Sequence, residues 1–118
     1  MPPRDILERT FEFAVRVVNL CVALGERPGA PRRVSDQLLN AGTSIGANVE
    51  EAQAGQSRAD FISKYSIALK EARETSYWLR LLRATILKDS QVLPPLLDEV
   101  EELKRILGAI VCRAKENS

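Results

Sequence analysis

The chain has 118 residues and a mass of 13.1 kDa, the size of one domain, and its 17 basic and 16 acidic residues leave a net charge of +1. A hydrophobic content of 45% is typical of a soluble globular protein and too high for a disordered one, while the charge balance argues against a surface that is basic all over. Histidine is absent, which excludes Ser-His-Asp and Cys-His catalysis and nearly every zinc site, so the composition favours a helical domain without enzymatic activity.

Four helical segments are predicted from the positions of glycine, proline and capping residues. They cover approximately residues 4–24, 34–54, 58–88 and 94–114. Gly25 ends the first segment, and Ser57 followed by Asp60 resembles a capping box at the start of the third. Pro94 and Pro95 fit the first turn of the fourth. Because the connections are short and no alternating apolar pattern indicates a strand, we expect an all-α, antiparallel up-down four-helix bundle that forms a single domain.

The first segment is apolar around most of its circumference. Between Phe11 and Leu24 the polar residues are confined to a narrow strip of Glu12, Arg16 and Asn19. A run this short, with charges in it, is neither a signal peptide nor a membrane span, so we expect a cytoplasmic protein with no membrane partner. A helix at the edge of a monomeric bundle is normally about half polar. We therefore expect the outer face to meet another subunit, the alternative being that neighbouring helices wrap it.

The second segment carries an apolar stripe and, beside it, a polar one at helical spacing. The polar residues are Gln37, Ser44, Asn48 and Glu51. Such a row is more often a hydrogen-bonded seam between packed helices than a binding face, so we interpret it as a seam and keep a binding face as the alternative. Gly42 and Gly46 are poor helix formers, and their expected role is to let another backbone approach closely.

The third segment divides into distinct faces at helical spacing. Its predicted core residues are Phe61, Tyr65, Ala68, Leu69, Ala72, Leu79, Leu82 and Ile86. A separate apolar strip consists of Ile67, Trp78 and Leu81. We interpret this strip as set away from the core and as a second indication of oligomerisation.

A basic stripe lies outside the core-facing arc of the third segment. Residues 58–88 contain seven basic and three acidic residues. The candidate nucleic-acid-binding residues are Lys70, Arg73, Arg80, Arg83 and Lys88, with Tyr77 among them. Cations and an aromatic ring on a rigid helix suit contacts with a phosphate backbone, and a ring of subunits would repeat the stripe and strengthen its field. The alternative is a solvated face whose cations pair with the acidic start of the fourth segment, within the bundle or across a subunit contact.

No residue pattern indicates a cofactor or a catalytic nucleophile. The sequence contains no P-loop, no dinucleotide-binding glycine motif and no nucleophile elbow. Glu50, Glu51, Glu71 and Glu74 leave an all-oxygen Mg²⁺ site as a remote alternative, but a di-iron site of the known bundle type also needs histidine. We therefore expect neither a metal nor another cofactor.

The two cysteines, Cys21 and Cys112, lie far apart in the sequence and form no CxxC pair. Neither has a sequence neighbour that would make it a nucleophile. Free, buried thiols are therefore expected rather than a disulfide.

A family motif spans the second and third segments. A glutamine precedes a small-residue stretch that ends in S-I-x-A-N, with the residues Gln37, Ala41, Ser44, Ile45, Ala47 and Asn48 in those places. Glu51, Ser57 and Phe61 follow, and the run IALKEARETSYWL places Glu74 at an acidic position of the pattern. From Gln37 to Leu82 the chain thus resembles the four-helix bundle family of 23S rRNA intervening-sequence proteins, also called S23 ribosomal proteins.

The resemblance implies a bacterial, cytoplasmic four-helix bundle without known enzymatic activity that assembles as a ring-shaped homopentamer. It also implies a relation to the accessory proteins of diversity-generating retroelements, which bind nucleic acid and a reverse transcriptase. We therefore expect a homo-oligomer that binds RNA or DNA through the basic stripe. The alternative is a protein-interaction scaffold, or an accessory subunit of a nucleic-acid enzyme, with no nucleic-acid affinity of its own.

The chain departs from the family pattern at two places in the second segment. Asn40 stands where a basic residue is frequent. In the frequent stretch N-I-A-E-G, this chain has the charged Glu50 in place of the alanine and Ala52 in place of the glycine. Both departures reduce the positive potential near the second segment and leave the expected fold unchanged.

Overall fold

The computed structural model describes residues 4–55 and 57–117, and α-helices occupy most of them. The helices are α1 (Arg4–Gly25), α2 (Ala30–Gln53), α3 (Arg58–Ala84) and α4 (Leu93–Glu116). No strand occurs within the two described ranges, which confirms the prediction of an all-α fold with four helices. The helices form one elongated unit with principal extents of 46 × 21 × 19 Å.

α2 begins four residues earlier than the sequence predicts. The predicted start at residue 34 is wrong, since α2 already begins at Ala30. A proline is tolerated in the first turn of a helix, because the N–H that it lacks would have no helical partner there. Pro31 occupies such a position. Gly29, just before the helix, has φ +81°, a conformation that glycine adopts without strain. The connection between α1 and α2 is therefore only residues 26–29.

The capping residues of α3 and α4 act as predicted. The Ser57 hydroxyl accepts a hydrogen bond from the Asp60 N–H at 3.0 Å, which satisfies one of the free donors in the first turn. α4 begins at Leu93, so Pro94 lies in its first turn. The helix continues to Glu116, two residues beyond its predicted end.

α3 ends four residues earlier than the sequence predicts. The expected end at Lys88 is wrong, since the helix stops at Ala84 and a turn follows over residues 85–89. In this turn the Leu87 N–H donates to the Leu82 carbonyl at 2.8 Å. Ile86 and Leu87 lie in this turn and pack against the core. The helix therefore ends where two apolar side chains become partly buried, and not at a glycine or a proline.

Helix packing follows the order of the chain. α1 packs against α2, α2 against α3 and α3 against α4, whereas α1 and α4 meet over a shorter length. Across that shorter contact the Arg9 guanidinium donates two hydrogen bonds to the Glu99 carboxylate, Nη2 to Oε1 at 2.7 Å and Nε to Oε2 at 3.0 Å. The pair is partly buried, and its bidentate geometry fixes the relative position of the two helices.

α1 and α2 approach closely at two glycines of α2. A Cβ atom at Gly42 would lie 2.8 Å from Cγ1 of Val17, and one at Gly46 would lie 3.2 Å from the Thr10 carbonyl oxygen. Only a residue without a side chain fits such distances without displacement of α1. The predicted role in close backbone approach is confirmed for Gly46, whereas Gly42 lies against the side chain of Val17.

The predicted core face of α3 is largely confirmed. Its buried members are Tyr65, Ala68, Ala72, Leu79 and Leu82. Phe61, Leu69 and Ile86 are only half-buried, because they lie at the edge of the core cluster rather than within it. Thr75 and Ser76 are buried although their polarity did not predict it. The Thr75 hydroxyl is satisfied by the carbonyl of Glu71, one turn earlier, at 2.7 Å.

The second apolar strip of α3 is only partly set away from the core. Ile67 is exposed, but Trp78 and Leu81 are half-buried, and Trp78 packs against the core cluster. The prediction is therefore wrong for Trp78. Lys64, on the same flank of α3, forms a 2.9 Å ion pair with Glu51, which shows that α2 lies beside this strip.

Both cysteines are free thiols, as predicted, but they differ in burial. Cys21 is buried, and this burial raises the pKa of its thiol. Cys112 is exposed, which corrects the prediction that both are buried. It follows the buried Val111 by one residue, and this step along a helix turns its side chain outward.

Candidate nucleic-acid interface

Three of the five predicted basic residues lie on one line along α3. Lys70, Arg73 and Arg80 share a direction from the helix axis and span about 15 Å of its length. All three side chains are exposed. Neither these three nor the other two cations of the predicted set form an ion pair with another residue in the described ranges. In the structure, the basic stripe thus consists of Lys70, Arg73 and Arg80.

The structure separates the other two cations from the basic stripe. Lys88 lies in the turn after α3, so helical spacing no longer places it on the same line, which corrects the prediction. Arg83 is turned toward α4, where a groove of about 510 Å³ separates the two helices. The groove is lined by Ser76, Arg80, Arg83, Leu97, Asp98, Glu101 and Lys104.

The groove between α3 and α4 contains a carboxylate whose pKa is lowered by its neighbours. A hydrogen bond from the Ser76 hydroxyl to Glu101 at 2.8 Å lowers the pKa of that carboxyl, and contacts with Lys104 and the charge of Arg80 lower it further. Glu101 is therefore anionic at neutral pH and reduces the positive potential near Arg83. The opposite end of the basic stripe, at Lys70 and Arg73, is farther along α3 from this carboxylate.

Tyr77 lies within the basic stripe and presents its ring to solvent. Its side chain is 51% exposed. The Arg80 guanidinium carbon lies 5.9 Å from the ring centroid, and the Trp78 ring meets Tyr77 nearly edge-on, at 78° with 5.1 Å between centroids. Both contacts favour a defined orientation of the tyrosine ring.

The predicted polar row of α2 does not form the expected seam between helices. The Ser44 hydroxyl and the Asn48 amide each donate to a carbonyl one turn earlier in α2, at 2.6 and 2.8 Å. Short polar side chains often find such an acceptor within their own helix. Gln37 is exposed, and Glu51 is the member of the row that reaches α3, through its ion pair with Lys64.

Glu74, the acidic position of the family motif, accepts a hydrogen bond from the Trp78 indole N–H at 3.3 Å. Partial burial raises the pKa of the nearby Glu71 carboxyl, and the negative charge of Glu74 raises it further. These glutamates do not converge on a metal site with Glu50 and Glu51. Within the described ranges, no three acidic or cysteine side chains lie close enough to share a metal ion.

The outer face of α1 exposes a row of large apolar side chains. The row, which we call the α1 row, consists of Phe11, Val15, Val18 and Val22. Beside it, α1 and α2 border a mostly apolar groove of about 350 Å³, to which Gly46 and Ala47 contribute. Sequence reasoning missed this groove, although the two adjacent small residues were a signal for it. Within the described residues, every helix is too short or too polar to span a lipid bilayer.

Comparison with known proteins places the chain in a family. Residues 4–109 match the sequence profile described as 23S rRNA-intervening sequence protein. A crystal structure from Bacteroides thetaiotaomicron, described as a protein with unknown function from the S23 ribosomal protein family, aligns with a TM-score of 0.80 and 42% sequence identity, over 90% of this chain and 97% of that chain. No curated protein matches the chain significantly. The profile match and the structural similarity agree, and the chain belongs to the family of 23S rRNA-intervening sequence proteins.

Proposed function

We propose that this chain is a non-enzymatic protein that binds RNA or DNA, and that the basic stripe on α3 contacts the phosphates. The observation that carries the proposal is that Lys70, Arg73 and Arg80 are exposed on one line and have no ion pair among the described residues. A nucleic acid presents its phosphates in a row, and cations that neutralise them gain free energy by releasing condensed counterions. Arg83 and Lys88 add positive charge beyond the stripe.

The whole chain carries a net charge of only +1, so the proposed binding depends on the local excess of positive charge on α3. Asp98 and Glu101 supply negative charge on the α4 side, so the nucleic acid is expected to follow α3 rather than the groove. The family description refers to intervening sequences of 23S rRNA, which makes a structured RNA the first probe.

The assembly forms a second part of the proposal. Thr10, near the start of α1, lies against Gly46 in the later half of α2, while Ser35 near the start of α2 bonds to Cys21 near the end of α1. These contacts support an antiparallel arrangement of α1 and α2, which the proposed up-down order requires. The exposed α1 row supports a ring-shaped homo-oligomer in the bacterial cytoplasm, with five subunits as the resemblance implies, in which symmetry repeats the stripe.

Charge reversal tests the binding site directly. Arg73→Glu with Arg80→Glu should abolish RNA binding in fluorescence anisotropy and leave the assembly intact. The matched control is Arg27→Glu with Arg33→Glu, because these exposed arginines lie near the α1–α2 connection and the pair changes the net charge equally. Equal losses in both double variants would show a nonspecific charge effect, and unchanged binding in the first would eliminate the stripe as the site.

Light scattering tests the assembly independently. Val22→Glu places a charge in the α1 row at a side chain that is 63% exposed, and should dissociate the oligomer. Val92→Glu is the control, because Val92 is similarly exposed, at 56%, but lies before α4 and outside the row. A monomeric wild-type chain at micromolar concentration would contradict the proposed assembly.

A second candidate function is a protein-interaction scaffold, or an accessory subunit of a nucleic-acid enzyme, without its own nucleic-acid affinity. The observation that favours it is the apolar groove between α1 and α2, with Phe11 at its edge and 65% exposed. This function predicts no RNA retention even at low salt and the recovery of one specific protein in affinity purification. Recovery of the chain alone would count against it.

A further inference from the structure

We propose that Tyr77 is a stacking platform for an unpaired base, so that the basic stripe binds single-stranded RNA or DNA in preference to a duplex. This inference rests on the proposed nucleic-acid binding and specifies the class of nucleic acid. Base stacking on an exposed aromatic ring is a general mode of single-strand recognition, and it tolerates different sequences because every base has a π-face.

Tyr77 contributes little to the packing of the helices, so the core does not account for an aromatic residue at this position. Half of its side chain is exposed, and its hydroxyl makes no hydrogen bond with another residue in the described ranges. The ring is nevertheless oriented, with the Arg80 guanidinium 5.9 Å from the centroid and the Trp78 ring edge-on beside it. An oriented ring with exposed surface loses little conformational freedom when a base stacks on it.

The cations on either side of the ring suit a strand that runs along α3. Arg73 lies one turn before Tyr77 and Arg80 nearly one turn after it, so the two guanidinium-bearing positions are about 10 Å apart along the helix axis. In a single strand each base is flanked by phosphates on both sides, and those phosphates can reach the two cations while the base reaches the ring.

The surroundings of α3 disfavour the alternative of a duplex read in its major groove. The major groove of a DNA duplex is about 12 Å wide and admits a single helix. α3 instead packs against α2 on one flank and α4 on the other, and the side that faces solvent carries the stripe, Tyr77 and the exposed Ile67. The paired bases of a duplex are stacked on one another, so Tyr77 would reach only its backbone.

Anisotropy titrations with a short oligouridine and a short RNA duplex test the inference. For Tyr77→Ala and Tyr77→Leu, single-strand affinity should fall about 5- to 150-fold, the range for the loss of one stacked base, while duplex affinity stays unchanged. Tyr77→Phe keeps the stacking surface and should bind like the wild type. Circular dichroism and light scattering check that each variant retains its fold and assembly.

Trp78 gives a readout on the wild-type protein, since it is the single tryptophan and adjoins Tyr77. Oligouridine should change its fluorescence more than the duplex does at equal saturation. Wild-type binding to both probes with equal affinity, with no effect of Tyr77→Ala, would overturn the inference and leave the proposed function standing. Binding of neither probe would overturn both, and dissociation of the assembly by Tyr77→Ala and Tyr77→Leu would identify Tyr77 as an interface residue instead.

Discussion

Replacement of Gly42 by alanine tests the close contact between α1 and α2. The new Cβ atom would lie 2.8 and 3.0 Å from the two methyl carbons of Val17, which is closer than carbon atoms pack. Val17 is fully buried and β-branched, so its side chain cannot rotate away. Such overpacking costs about 1–3 kcal/mol, whereas alanine in place of glycine inside a helix stabilises it by about 1 kcal/mol. The free energy of unfolding should therefore fall by about 0–2 kcal/mol.

A control and a second-site variant separate these two effects. Gly108→Ala in α4 adds a Cβ atom with no neighbour within 4 Å, so it should stabilise the protein by about 1 kcal/mol. Val17→Ala removes the two closest carbons but keeps the Cβ atom at 3.2 Å, so in that background Gly42→Ala should destabilise the protein less than it does in the wild type. Urea unfolding followed by circular dichroism at one protein concentration measures all four variants. If Gly42→Ala alone stabilises as much as Gly108→Ala, the proposed contact is absent.

Two further variants test the electrostatics and the capping of α3. Burial and the charge of Glu74 raise the pKa of the Glu71 carboxyl above its ordinary value of 4.5, so the wild type loses stability as the pH rises through that raised pKa. Glu71→Gln should therefore increase the free energy of unfolding at pH 7. The gain should vanish well below pH 4.5, and a gain that persists there would refute the explanation. Ser57→Ala removes the acceptor for the Asp60 N–H and should lower the free energy of unfolding in urea by about 1 kcal/mol, while Ser57→Thr should retain most of the stability. Equal unfolding midpoints for Ser57→Ala and the wild type would show that the cap contributes nothing.

Local chemistry makes the starts of α3 and α4 predictable, but it does not predict the end of α3. Ser57 and Pro94 act through their own side chains and the adjacent backbone, so the sequence suffices to locate the starts of α3 and α4. The end of α3 depends instead on the burial of Ile86 and Leu87 in a core formed by other helices. That is a tertiary effect, and no glycine or proline near Ala84 indicates it.

The candidate site shows the same division between local and tertiary effects. Helical spacing alone places Lys70, Arg73 and Arg80 on one line, and the structure agrees. The spacing gives no information about which neighbouring helix covers each flank, which is why Trp78 packs against the core contrary to prediction. Lys88 leaves the line for a related reason, because its position depends on where α3 ends.

The salt dependence of RNA binding tests the central claim, that the basic stripe contacts phosphates, most directly. Between about 50 and 200 mM salt, the log–log slope of the binding constant should be about −0.7 to −0.9 for each phosphate neutralised, or about −2 to −3 for the three cations of one subunit. Arg73→Gln should make the slope less negative by about 0.7–0.9, and Arg27→Gln should leave it unchanged. A slope near zero, or equal slopes for the wild type and Arg73→Gln, would contradict the claim.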